Sequence, residues 1–361
     1  MRDVFWKRIS RLRTVFSKKG LDALWILGPE NRRYLSGFSA SDIHITESSG
    51  SLLIGKDYAF LITDPRYEIQ AKEEVPDFEI KLVKDDILDQ ICRIISETGA
   101  KKIGFEENYL SYGTYRKIKE KVSLELIPVE GIVEELRRIK EGCEIELIKK
   151  AAKMASEIMD EVISWIRPGI SEKEVELRIR ELAYRKGAED LSFQPIVASG
   201  KNSALPHASP SEKKLLPHEP IIIDMGVKVE GYCSDITRTV FIDGPDEEFR
   251  KIYSVVDEAK KKAISFVKPG MRTDKLDGIA RDVIKGAGFG DFFTHGLGHG
   301  VGLAVHEAPR ISRSDPTILE QGMVITIEPG IYLPGKGGVR IEEMVIVEEG
   351  GHEIITKTEY G

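Results

Sequence analysis

Ile163-Ser-Trp-Ile-Arg-Pro-Gly169 returns 101 residues later as Ile264-Ser-Phe-Val-Lys-Pro-Gly270. Each heptapeptide leads into an amphipathic stretch, residues 172–186 and 273–285, and each stretch runs into a Gly-Ala pair. The echo continues downstream. Pro220-Ile-Ile-Ile-Asp224-Met-Gly resembles Met323-Val-Ile-Thr-Ile-Glu328-Pro-Gly at an offset of 104, and Asp235 is answered by Glu342 at an offset of 107. Helices followed by strands, twice over, mark a duplicated αβ unit. Two such halves facing each other across a pseudo-two-fold axis would each bring two carboxylates to the centre.

Upstream of this repeat the pattern differs. Residues 134–165 read as one long helix, with Leu136, Ile139, Ile145, Leu147, Ile148, Ala151 and Ala155 on its apolar face and a break point near Gly142. Before it, short apolar runs alternate with amphipathic stretches. Residues 24–27 read as a buried strand, and residues 51–63 as a hairpin turning at Gly55-Lys-Asp57. Residues 87–98 and 112–121 read as helices, and residues 102–105 and 124–128 as strands. The expectation is an α/β domain over residues 1–131, without a catalytic cluster, and an α+β domain with the internal repeat over 132–361.

The bulk properties narrow the function class. A chain of 361 residues, 41% apolar and 31% charged, has material for two globular domains. Its net charge of −7 and the lack of a basic stripe argue against nucleic acid as a partner. Cys92, Cys143 and Cys233 are too few and too scattered for a disulfide framework or a thiolate site, which fits a reducing cytoplasm. The start Met-Arg-Asp-Val-Phe-Trp-Lys-Arg has no apolar signal core, and no run reaches 18 apolar residues, so no membrane is expected. Three Asn and four Gln among many Lys and Glu are the bias of hyperthermophile proteins.

Five donors in the repeat carry the chemistry: Asp224, Asp235, His299, Glu328 and Glu342. Asp224 ends a β-branched run, and a hairpin turning at Glu230-Gly231 returns the chain to Asp235. Pro334-Gly-Lys-Gly-Gly338 does the same between Glu328 and Glu342. Each acid sits in apolar strand context, where an unpaired charge is costly. Four carboxylates and one imidazole hold two hard divalent cations, and such a pair binds, deprotonates and aims a water. Gly296-Leu-Gly-His299-Gly-Val-Gly302 lacks the spacing and preceding strand of a phosphate loop. Its glycines are expected to let the backbone approach the metals, with His299 as the nitrogen ligand.

These residues resemble the proline-specific metallopeptidases of the pita-bread fold, prolidase and aminopeptidase P. The likeness spans the whole chain. Gly231-Tyr-Cys-Ser-Asp235-Ile-Thr-Arg-Thr, Gly338-Val-Arg-Ile-Glu342 and the N-terminal Asn31-Arg-Arg-Tyr34-Leu-Ser-Gly37-Phe are similar to this branch rather than to methionine aminopeptidase. The resemblance implies a creatinase/prolidase-type N-terminal domain before a pita-bread domain. It implies two divalent ions per chain, Mn²⁺, Co²⁺ or Zn²⁺. Asp224 would chelate one, His299 with Glu328 the other, and Asp235 and Glu342 would bridge. It implies hydrolysis of Xaa-Pro bonds in short proline-containing peptides, with Glu328 shuttling a proton to the leaving nitrogen. His207 and His306 would donate to the developing oxyanion. Phe193 and Ile196 would wall the pocket, and Arg310 would fork onto a substrate carboxylate. His295 and Arg340 would support the ligands from behind, Arg340 by orienting a bridging acid such as Asp235. Relatives are homodimers, in which Tyr34 would approach a partner's site. His44, His218 and His352 match nothing. A methionine aminopeptidase-like enzyme and a non-enzymatic pita-bread module that binds peptides or proteins are the alternatives, the latter typically lacking the five ligands.

Overall fold

The computed structural model describes residues 2–42 and 50–360, so His44 lies outside the described residues. The chain divides into Met1–Arg137 and Arg138–Gly361. No helix among the described residues is long and apolar enough to cross a membrane.

The first unit is built on one sheet, with β1 (Ala23–Ile26), β2 (Ser51–Gly55), β3 (Ala59–Thr63), β4 (Glu79–Leu82), β5 (Lys102–Glu106) and β6 (Glu125–Val129) in the order β4-β3-β2-β1-β5-β6. The expected hairpin is β2–β3, and β2 alone runs against the rest. Buried Trp25, Leu53, Ile62, Ile103 and Phe105 from the strands pack against Ile91, Ile95 and Ile118 of the helices.

In open α/β sheets, anions bind beyond the carboxyl ends of strands, on the free amides of a helix start. Here that place is filled from within. Beyond β1, Leu27 N–H and Gly28 N–H donate to Glu106 Oε2 at 2.6 and 2.7 Å, and Asn31 Nδ2 donates to Oε1 at 2.6 Å. The Tyr109 ring lies so close that a Cβ on Gly28 would stand 2.8 Å from it. At this strand end the Glu106 carboxylate thus occupies the amides that an anion would otherwise take.

Helix Ile132–Arg137 belongs to this unit. Asn31 Nδ2 donates to Glu134 Oε1 (2.6 Å), Arg137 Nη1 donates to Asn31 Oδ1 (2.7 Å), and Tyr34 Oη–H donates to the Leu136 carbonyl (3.1 Å). The unit therefore runs past residue 131. The long helix expected over 134–165 is two helices, Ile132–Arg137 and Gly142–Trp165. Gly142 opens the second, where the Glu144 carboxylate accepts the Glu141 N–H at 3.0 Å and so caps a new helix start.

The second unit is duplicated. Its first half packs helices Gly142–Trp165 and Glu172–Lys186 on the sheet of Ile196–Ser199, Ile221–Met225 and Ile236–Val240. Its second half packs helices Glu247–Ser265 and Thr273–Gly286 on a five-stranded sheet whose centre is Val324–Ile327 beside Glu343–Glu348. Each half has a core of its own. Ala155, Met159, Ile179 and Ile223 fill the first, and Val256, Ala263, Ala280 and Ile325 the second. The hairpin turn expected at Glu230-Gly231 is present, with φ of 48° and 84° at its two residues. Positive φ at both central positions gives the twist that two antiparallel strands need.

Candidate metal centre

Equivalent acids occupy equivalent strand ends in the two halves. Asp224 is the penultimate residue of Ile221–Met225, and Glu328 directly follows Val324–Ile327. Asp235 directly precedes Ile236–Val240, and Glu342 directly precedes Glu343–Glu348. Antiparallel registers, Asp224 opposite Thr237 and Ile327 opposite Glu343, bring each pair back to one end of its sheet. His299 sits in the short strand Gly298–Gly300. Its flanking glycines serve a different purpose from the one expected. A Cβ on Gly298 would lie 2.0 Å from the Thr326 carbonyl oxygen, and one on Gly300 would lie 2.3 Å from that of Ala308. Glycine here lets the strand approach its neighbours' backbone.

The side chains converge. His299 Nε2 is 3.6 Å from Asp235 Oδ2 and 3.5 Å from Glu328 Oε1. Asp235, His299 and Glu342 each offer a donor atom within 4.8 Å of the others. His299 Nδ1 lies 3.1 Å from the Gly300 carbonyl, an acceptor only, so in the neutral ring Nδ1 carries the proton and the Nε2 lone pair faces the acids. Burial, helped by the nearby His306, lowers the His299 pKa to about 4 and keeps it neutral.

Burial and mutual repulsion push the Asp235 and Glu342 carboxyls well above the usual carboxylate range. Burial raises Glu328 to about 8 against the pull of Arg340. Burial opposes the charge on Arg340, but Tyr332, Asp224 and Glu328 more than offset it. One guanidinium does not balance four acids. Oδ1 of Asp224 and Oδ1 of Asp235 are buried with no hydrogen-bond partner among the described residues. Unpaired buried carboxylate oxygens are expensive, and hard divalent cations are what such oxygens fit.

Arg340 differs from the expectation that tied it to Asp235. Its strand runs beside Ile236–Val240, where Arg340 N–H donates to Thr239 Oγ1 and the Arg340 carbonyl accepts from it. From there its Nε donates to Thr237 Oγ1 (3.3 Å) and its Nη2 to Oδ2 of Asp224, the register partner of Thr237 (2.6 Å). Nη1 donates to Tyr332 Oη at 2.9 Å, and Tyr332 Oη–H donates to His295 Nε2 at 2.9 Å. His295 Nδ1 donates to the Gly296 carbonyl at 2.7 Å, and burial lowers that ring to about 4. A chain of polar contacts thus links Asp224 to His295 through Arg340 and Tyr332.

Sequence reading missed Tyr332 and Thr237. Thr237 donates from Oγ1 to Glu342 Oε2 at 2.8 Å. Its spacing of two from Asp235 on a strand edge was the available signal. Nothing in Ile331-Tyr-Leu333 distinguishes Tyr332 from a core residue.

The His306 ring stands 4.4 Å from that of His299, edge to face. Burial lowers His306, Asp224 raises it, and His207 and Arg310 lower it further, so these four groups share one electrostatic neighbourhood. His207, His306 and Arg310 are exposed, and no ion pair engages the Arg310 guanidinium among the described residues. Arg310 is the register partner of His299, and Ile196 that of Asp224. Phe193 is half-buried three residues before Ile196. His218 and His352 contact the carbonyls of Gly244 and Val267, away from the acids.

Comparison with known proteins agrees with this geometry. Residues 8–139 match the profile of the Creatinase/Prolidase N-terminal domain. A Xaa-Pro dipeptidase of Pyrococcus furiosus is 41% identical over 98% of each chain. The solved structure of a Xaa-Pro dipeptidase from Bacillus anthracis superposes with a TM-score of 0.94, at 40% identity over 99% of each chain. That of an X-Pro aminopeptidase from Thermotoga maritima gives 0.85 at 39% identity, over 95% of this chain and 97% of that one. Residues 146–349, which hold all five donors, match Metallopeptidase family M24, and the chain belongs to that family.

Proposed function

We propose that the protein is a metal-dependent exopeptidase that hydrolyses the Xaa-Pro bond of dipeptides, and of short peptides that begin with this pair. The observation that carries the proposal is the convergence of Asp235, His299 and Glu342 beside buried, unpartnered carboxylate oxygens, in a chain 41% identical to a Xaa-Pro dipeptidase. Asp224, Asp235, His299, Glu328 and Glu342 would hold two divalent cations (Mn²⁺, Co²⁺ or Zn²⁺), with Asp235 and Glu342 common to both. Ions bound there supply a water acidic enough to ionise near neutral pH.

The chain's own groups do the rest. Glu328 has two oxygens, so it can serve as ligand and carry a proton to the leaving nitrogen. His207 and His306 offer N–H groups to the oxygen that gains charge as the carbonyl becomes tetrahedral. Arg310, whose guanidinium has no ion-pair partner among the described residues, forks onto the carboxylate of a terminal proline. Phe193 and Ile196 form the apolar wall for the residue before proline. The three free cysteines suit a reducing cytoplasm.

The test offers Ala-Pro, Ala-Pro-Ala-Ala and Met-Ala-Ser to protein loaded with Mn²⁺ or Co²⁺, with bound metal measured alongside. Cleavage of Ala-Pro supports the proposal, and release of Ala from the tetrapeptide assigns the longer-peptide activity as well. Cleavage of Met-Ala-Ser alone, or protein that retains no stoichiometric metal, overturns it.

A further inference from the structure

Glu172 opens helix Glu172–Lys186 and has no exposed surface. Its Oε1 accepts from Ser199 N–H (2.7 Å), Ser199 Oγ–H (2.9 Å) and Asn202 Nδ2 (3.1 Å). Its Oε2 accepts from Ser211 N–H (3.0 Å), Ser211 Oγ–H (2.6 Å) and Asn202 Nδ2 (3.2 Å). One carboxylate therefore ties together the two ends of residues 199–211. The backbone reinforces the tie, with Glu172 N–H on the Lys213 carbonyl and Lys173 N–H on the Ser211 carbonyl, both at 3.1 Å. Lys213 Nζ donates to Ser199 Oγ at 2.9 Å, which polarises the hydroxyl toward Glu172.

His207 lies inside this closed segment. Its ring is exposed, and no hydrogen bond to it is made among the described residues. Its position is thus set by its backbone. On the far side from Glu172, Gly338 N–H donates to Ser203 Oγ (2.8 Å), and Arg340 Nη1 donates to the carbonyl of Pro206, the residue before His207 (3.2 Å).

We infer that Glu172 is the positioning residue of His207: by holding Ser199, Asn202 and Ser211 on one buried carboxylate it fixes where the His207 ring meets the substrate. This rests on the reading of His207 as a donor to the reacting carbonyl. Geometry explains why the residue is a carboxylate. A carboxylate offers acceptor sites on both oxygens for this set of donors. Glutamine would turn Oε2 into an NH₂ group facing the Ser211 N–H.

The experiment compares Glu172→Gln, His207→Ala and the double variant in the metal-loaded enzyme on Ala-Pro. Trypsin cleavage after exposed Lys201, which lies in the segment, is followed in parallel. A positioning role predicts that Glu172→Gln lowers kcat about 10–100-fold, changes KM little, keeps its metal content and is nicked faster at Lys201. The double variant should be no slower than His207→Ala alone, since effects that pass through one residue do not multiply. Multiplying losses, or wild-type kcat in a folded Glu172→Gln protein, overturn the inference and leave the proposed activity standing. A wild-type protein inactive on every Xaa-Pro peptide overturns both. If Glu172→Gln does not fold, Ser211→Ala, which removes one donor and keeps the backbone N–H, carries the same comparison with a smaller expected loss.

Discussion

Thr237 grips Glu342 twice. Its hydroxyl donates to Glu342 Oε2 at 2.8 Å, and its carbonyl accepts the Glu342 N–H at 3.1 Å. Thr237 belongs to the first half of the duplicated domain and Glu342 to the second. Met344 Sδ, 3.2 Å from Asp235 N–H, repeats the cross-link in the other direction. Glu342 is therefore held from the first half, and Asp235 and (through Arg340) Asp224 from the second, so neither half orients its acids alone.

Replacing Thr237 by Val keeps the shape of a fully buried side chain and removes the hydroxyl. Glu342 then loses the bond that fixes its rotamer, and Arg340 Nε loses an acceptor. Partners behind a metal ligand are worth about 10–100-fold in affinity. Thr237→Val should weaken Mn²⁺ binding by that factor in calorimetric titration, while Thr237→Ser should stay near the wild type. Equal affinities for all three proteins would show that the hydroxyl does not orient Glu342.

Glu342→Gln should have opposite effects with and without metal. In chelator-treated protein, four clustered acids share one guanidinium, so an amide relieves repulsion and should raise stability by about 1–3 kcal/mol. With Mn²⁺ present, the wild type gains by mass action, about 4 kcal/mol at a thousandfold excess over Kd, and the variant gains little. Melting curves with EDTA and with Mn²⁺ should therefore cross in rank. A variant less stable than wild type in both conditions would mean that Glu342 is a structural acid rather than a ligand. Asp235→Asn should behave alike, and both should abolish hydrolysis with the fold intact.

The duplication was legible because it rests on strand ends. A β-branched run closing on an acid, then a hairpin, then a second acid, places carboxylates without knowledge of tertiary contacts. What the sequence left hidden are contacts set by register. Arg340 stands two residues before Glu342, yet its guanidinium lies on Asp224, because Thr237 pairs with Asp224. The helix break near Gly142 is marked by a glycine within the helical run. Its cause is the new cap made by Glu144, which also holds Tyr232 Oη at 2.9 Å. Glu172 reads as an ordinary acid in the first turn of a helix. The adjacent Ser171–Glu174 capping box accounts for acids there, so its contacts to a distant loop leave no trace in the local pattern.

Tyr332→Phe tests the chain from Asp224 to His295. The lost hydroxyl leaves an Arg340 N–H and His295 Nε2 without their partner in a buried site. An orphaned buried donor or acceptor costs about 1–3 kcal/mol. The variant should melt lower by that amount and turn over more slowly, with metal content unchanged, because Tyr332 touches no proposed ligand except through Arg340. Loss of metal in Tyr332→Phe would instead place the hydroxyl among the groups that set the cation site.

Glu106 should give the first unit a pH dependence of its own. Burial pushes its carboxyl up to about 7, from 4.5, against the N–H groups of Gly28 and Leu27 that favour its charge. Glu134 on the neighbouring helix adds repulsion. A carboxyl whose folded value is raised binds its proton more tightly in the folded state. Its contribution to stability is full below about pH 4.5, falls as pH rises through about 7, and is flat above. A shift of this size corresponds to a fall on the order of 3 kcal/mol. Trp6 and Trp25 lie in this unit, so urea unfolding followed by their fluorescence in a Trp165→Phe background reports on it alone. The midpoint should drop between pH 5 and pH 8 in that protein and stay level when Glu106→Gln is added. A midpoint that climbs over this range would mean that the three N–H donors, not burial, govern the Glu106 carboxyl.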